Sequence, residues 1–161
     1  MAAARAWGKD LDRYFDDFRV GDTFQSGGLT LSEASVLDFA MKYDPQPFHL
    51  DVEAAKQSIY GGLIASGCQT LAVALRLFLS ERVLASCSLG SPGIEEIRYK
   101  KPVRPGDTLS VRTEILEKNP SRSRTDRGVL RIGYTVTNQN QEPVLTAQIL
   151  HLVLKKGHAA E

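Results

Sequence analysis

Cysteine, tryptophan and methionine are scarce in this chain: two, one and two among 161 residues. The two cysteines, Cys68 and Cys87, form neither a C-x-x-C pair nor a repeating framework. That excludes a disulfide scaffold and points to a reducing compartment, with both thiols expected in the core. An excess of one charge is also missing. Twenty Lys and Arg against nineteen Asp and Glu leave a formal net charge of +1, which argues against a general nucleic-acid binder or a strongly acidic partner. Long hydrophobic runs are absent too. The longest, "LAVALRLFL" at 71–79, carries Arg76 and is far short of the ~20 residues that span a bilayer. Charges interrupt the N-terminal "MAAARAWGKDLDRYFDDF", so no signal-peptide core is read there, and "KKGHAAE" at the other end carries no lipidation address. The expectation is a cytoplasmic protein with no membrane partner.

What is present is ordinary globular composition, 42% hydrophobic and 24% charged. The length fits a single domain over 1–161, with a core from about 15 to 155 and short tails. Helical signals fill the first half and strand signals the second, which predicts α+β architecture. "FRVGDTF" (18–24) reads as a short strand around a turn. "TLSEASVLDFAMKY" (30–43) reads as a helix capped by Ser32 and stopped before Pro45. Asp51 can cap a shorter helix over 51–60 that ends at Gly61-Gly62. "SGCQTLAVALRLFLSERVL" (66–84) is apolar on nearly every face, so it is expected to be buried. Strands follow at 93–103, 108–118, 129–138 and 144–156, with a polar loop at 119–128. Leu109, Val111, Thr113 and Ile115 alternate with Ser110, Arg112 and Glu114, and Leu130, Ile132, Tyr134 and Val136 share one face. The sum is a curled antiparallel sheet wrapped around a central apolar helix.

One connection invites a chemical reading. "YDPQPFHLD" (43–51) places Asp44 and His49 on a proline-stiffened link between two helices. Such a pair is either turn chemistry or an acid/base couple. His151, on a strand amid apolar residues, reads as a hydrogen-bonded sheet histidine, and His158 falls in a tail. His49, Asp51 and Cys68 are metal-ligand types, but their spacing matches no zinc pattern; no metal is expected.

"Y-D-P-Q-P-F-H" (43–49) resembles the G-D-x-N-P-hydrophobic-H signature of (R)-specific enoyl-CoA hydratases, members of the MaoC-like family of hotdog proteins. "IASG" (64–67) is similar to that family's I-x-H-G segment, and "RYKKPVRPGDTL" (98–109) to the strand-turn-strand of hotdog acyl-CoA enzymes. The resemblance covers roughly residues 15–155. It implies a hotdog fold, a hydro-lyase activity on an acyl-CoA or acyl-carrier-protein thioester, no cofactor and a homodimer. Asp44 and His49 would grip the water that adds to the 2,3 double bond. The backbone N–H of Gly67, opening the buried helix, would hold the enolate-like oxygen. Three positions depart from the motif: Tyr43 for glycine, Gln46 for asparagine, and Ser66 where many members carry histidine. All three are expected at the substrate, Tyr43 at the pocket mouth and Gln46 in an amide role. Lys100, Lys101 and Arg104 are expected to meet the carrier's phosphates, with Arg98, Arg122, Arg124 and Arg127 as further candidates. A hotdog thioesterase and a non-catalytic acyl-binding subunit are the alternatives.

Overall fold

The strand alternation becomes the core directly. In a computed structural model describing residues 12–158, β4 (Thr108–Pro120), β5 (Arg127–Thr137) and β6 (Pro143–Leu154) form an antiparallel meander. Residues 1–11 and 159–161, on which part of the terminal reading above rests, lie outside the described residues. Leu109, Val111, Thr113 and Ile115 on β4, and Leu130, Ile132, Tyr134 and Val136 on β5, are all buried. Their period-2 spacing puts them on one sheet face. β1 (Thr23–Gln25) and β2 (Leu29–Thr30) pair with β4, and β3 (Ser88–Tyr99) pairs with β6, giving the order β1-β4-β5-β6-β3. The six-stranded antiparallel sheet and its central helix make the expected α+β hotdog architecture.

That helix is α4 (Gly67–Ser80), which packs on β4 through a face that includes Thr70, Ala74, Leu77 and Phe78. It is shorter than the 66–84 expected, because residues 81–87 turn instead. Nor is it buried all round. Cys68 and Ala72 are exposed and Leu79 is 52% exposed, since the sheet covers only one side of the helix. Cys68 is therefore not a core thiol. Cys87 is, and burial pushes its thiol pKa up to about 12, which makes it unreactive.

The edges differ most from expectation. β3 begins at Ser88, well before Gly93, because an edge strand tolerates breakers such as Gly90 and Pro92. β3 and β4 are not neighbours either; β5 and β6 lie between them. The connection 100–107 therefore crosses the end of the sheet. The stretch read as a polar loop is partly strand, since the β4–β5 ladder runs out to Pro120 opposite Gly128. Leu116, Glu117, Asn119 and Pro120 are all exposed, so no alternation announces it.

Beneath α4, the rings of Phe78, Tyr134 and His151 meet, and Tyr134 Oη shares a 3.0 Å hydrogen bond with His151 Nε2. His151 is thus the satisfied sheet histidine expected. Burial lowers its pKa from 6.5 to about 4. A histidine kept neutral by folding adds stability that is complete above pH 6.5 and is lost as pH falls through 4. The difference corresponds to roughly 3 kcal/mol. His151→Gln, which offers Tyr134 an acceptor but does not titrate, is expected to flatten urea-unfolding stability between pH 4 and 6.5. An unchanged slope would assign the acid sensitivity elsewhere.

Candidate active site

The link at 43–51 is more ordered than a turn. α1 (Glu33–Tyr43) starts at its Ser32 cap and ends at Asp44, which cannot continue it before Pro45. Pro47 then opens a single helical turn, α2 (Pro47–Leu50), where its missing N–H costs nothing. This turn returns His49 to Asp44, with Nε2 and Oδ2 3.3 Å apart. Asp51 is spent capping α3 (Val52–Gln57), accepting from Glu53 N–H and Ala54 N–H.

The "IASG" segment fixes the pair from the other side. Ile64 N–H donates to Phe48 C=O, and Ile64 C=O lies 2.8 Å from His49 Nδ1. A carbonyl can only accept, so Nδ1 carries a proton, and the ring is held with Nε2 facing Asp44. Ala65 N–H donates to Val103 C=O in the crossing connection. All three segments that carry the family resemblance therefore meet at one place.

Two donors hold the Asp44 carboxylate. Ser66 Oγ donates to Oδ2 at 2.6 Å and Gln46 Nε2 donates to Oδ1 at 2.8 Å. The Ser66 bond first, and the Gln46 bond after it, keep the Asp44 pKa below the ordinary carboxylate range. Ser66 also accepts from Cys68 N–H and so caps α4. Gln46 thus reaches the carboxylate rather than open space.

Asp44, Gln46, His49, Ser66 and Gly67 line a cavity of about 530 Å³ whose apolar wall includes Phe48, Tyr60, Ile64 and Val103. His49 is only 5% exposed, and Asp44 keeps 23% of its side chain open. Gly67 N–H begins α4 and has no acceptor among the described residues.

Of the remaining expected residues, Lys100 and Lys101 line the same cavity. Lys101 is paired with Glu142, whereas Lys100 has no ion-pair partner among the described residues. Arg104 is not in the lining; its guanidinium donates to Tyr60 C=O. Tyr43 is not there either. It is 70% exposed and packs on Phe39, because its place in the last turn of α1 turns it away from the cavity. Sequence reasoning missed Tyr99, the last residue of β3, which lines the cavity. Its place directly before Lys100 and Lys101 was the available signal.

The model of the MaoC-like domain matches residues 17–139. The chain belongs to the MaoC-like family. It is 31% identical over 151 residues to the 3-hydroxybutyryl-CoA dehydratase of Methylorubrum extorquens, covering 91% of this chain and 87% of that one. The crystal structure of a MaoC-like dehydratase from Rhodospirillum rubrum superposes with a TM-score of 0.84 at 37% identity, covering 91% and 99% of the two chains. The R-hydratase PhaJ1 of Pseudomonas aeruginosa gives 0.71 at 25% identity and 92% of each chain. In this MaoC-like domain the departures from the family motif are thus of two kinds. Gln46 and Ser66 act on Asp44, and Tyr43 lies outside.

Ser66→Ala tests that arrangement. It is expected to cost about 1 kcal/mol through the lost cap and to raise the Asp44 pKa, because a donor to the charged form is gone. Denaturant unfolding reads the first effect and carboxyl-carbon NMR titration the second. An unmoved Asp44 titration would mean that another group holds the carboxylate.

Proposed function

We propose that this MaoC-like domain is an (R)-specific enoyl-CoA hydratase or 3-hydroxyacyl dehydratase, acting without a cofactor on a CoA or acyl-carrier-protein thioester. The observation that carries the reading is the Asp44–His49 pair, 3.3 Å apart at the wall of a cavity that also holds Gly67. In this reading Asp44 and His49 Nε2 both accept from the attacking water. A water placed against them donates one hydrogen to each and turns a lone pair to C3 of the enoyl chain. Asp44 takes a proton as the C3–O bond forms. The C2=C3 electron pair moves through C1 onto the thioester oxygen, where Gly67 N–H and the N-terminal end of α4 oppose the charge. A proton from the pair then reaches C2, which balances the addition. Elimination is the same path reversed, so one site serves both directions.

The apolar wall of Phe48, Tyr60, Ile64 and Val103 suits an acyl chain, and Lys100 is the cation left open for a carrier phosphate. We read 1–161 as one domain acting in the cytoplasm; among the described residues, no helix is long and apolar enough to cross a membrane. A second copy of this chain is the inferred partner, since among the described residues β3 is an edge strand and bears exposed Ile94.

Loss of the conjugated absorbance of a short 2-enoyl-CoA on adding the protein tests the activity, and formation of the (R)-3-hydroxyacyl product tests the stereochemistry. Thiol release instead would identify a thioesterase. Binding of the ester without turnover would identify a non-catalytic acyl-binding subunit.

A further inference from the structure

The Tyr99 ring lies directly on Gly67. A Cβ built on that glycine would stand 2.6 Å from Tyr99 Cζ and 3.0 Å from its Oη. The absence of a side chain at position 67 is thus what admits the phenol, as well as any substrate, to the start of α4. Tyr99 is 55% exposed and lines the cavity of Asp44 and His49. Among the described residues its hydroxyl has no hydrogen-bond partner. Burial is the main cause that raises its pKa above the ordinary value of 10, so at neutral pH the phenol is a donor that keeps its proton.

We propose that Tyr99 is a catalytic residue, the second hydrogen-bond donor to the thioester oxygen beside Gly67 N–H. The inference rests on the hydration reading of the site. An enolate oxygen has more than one lone pair to satisfy, so a second positioned donor adds to the first. Gly67 supplies one donor from the backbone and Tyr99 supplies the other from the edge of the sheet. No proton changes hands, because the phenol only donates a hydrogen bond to the charge as it forms.

The test is steady-state hydration of a short 2-enoyl-CoA by the wild type, Tyr99→Phe and Tyr99→Ala, each checked for an unchanged melting curve. Tyr99→Phe keeps the ring on Gly67 and removes only the hydroxyl. It is expected to lower kcat by about 10- to 100-fold with KM changed by less than about threefold, the pattern of a contact made in the transition state. Tyr99→Ala should lose at least as much kcat and also shift KM. Wild-type kcat in Tyr99→Phe, with only Tyr99→Ala impaired, would overturn the proposal and leave the ring a mere cover. A wild-type protein that hydrates no 2-enoyl-CoA would overturn the reading of the site itself, a failure seen before any substitution is made.

Discussion

Asp44→Asn and His49→Ala are each expected to lower hydration turnover by about 10²- to 10⁴-fold. Asparagine keeps the shape of Asp44 and can still meet Ser66 Oγ, which donates to it now at 2.6 Å. What it loses is the charge and the acceptor that, in the proposed hydration, would take a proton from water. Alanine at 49 removes the imidazole that the Ile64 carbonyl orients through Nδ1. The two groups lie 3.3 Å apart and would act on one water, so their effects should not multiply. The double variant is expected to be barely slower than the worse single one. Full activity in Asp44→Asn, with the sequence of the variant verified, would remove the carboxylate from the mechanism. Strict multiplication of the two losses would mean that the residues act at separate steps.

The second large effect is expected at Gly67, where two substitutions separate a steric cause from an electrostatic one. Both Gly67→Ala and Gly67→Pro introduce a Cβ, and at this position it would stand 2.6 Å from the Tyr99 ring. Either variant therefore obliges Tyr99 to swing aside, which its half-exposed position allows. Only proline also deletes the backbone N–H. The local backbone suits it. Gly67 is the first residue of α4, and Ser66 before it has φ −59° and ψ 143°, the extended conformation that a residue preceding proline prefers. Loss of one oxyanion donor raises a barrier by ~2.7–4 kcal/mol. Gly67→Pro is accordingly expected to fall about 10²- to 10³-fold below Gly67→Ala in kcat. Equal turnover in the two folded variants would show that the first N–H of α4 does not hold the oxygen.

Legibility in the sequence followed physical locality. Asp44 and His49 were readable because five positions and two prolines fix their relation within one connection, and the fold preserves it. Ser66 was readable as the start of the buried helix, but its bond to Asp44 joins residues 22 apart in sequence, and no local pattern encodes that. Gly67 was readable as the opening of a helix. Its contact with Tyr99 depends on β3 pairing with β6 instead of β4, a register no alternation reveals. The sheet core was legible wherever one face is buried, as at Leu130, Ile132, Tyr134 and Val136. It was not legible at the hairpin tip around Asn119, where the ladder continues although Leu116, Glu117, Asn119 and Pro120 of its β4 strand are exposed. Tyr43 was misplaced for a related reason. A residue beside Asp44 in sequence can still leave on the opposite side when a helix ends between them. Cys68 erred the other way, since the apolar surroundings that suggested a core cover only one side of α4.

The clamp formed by Ile64 has a consequence for how this site tolerates change. Both of its bonds, N–H to Phe48 and C=O to His49, come from the peptide backbone, and every amino acid but proline supplies that pair of groups. The orientation of the histidine is therefore insulated from substitution at the very residue that sets it. Position 64 can drift among side chains of suitable bulk, reshaping the cavity wall, while the geometry of the Asp44–His49 pair stays put. The shape of the cavity and the alignment of its acid and base groups are, at this point in the chain, separately heritable.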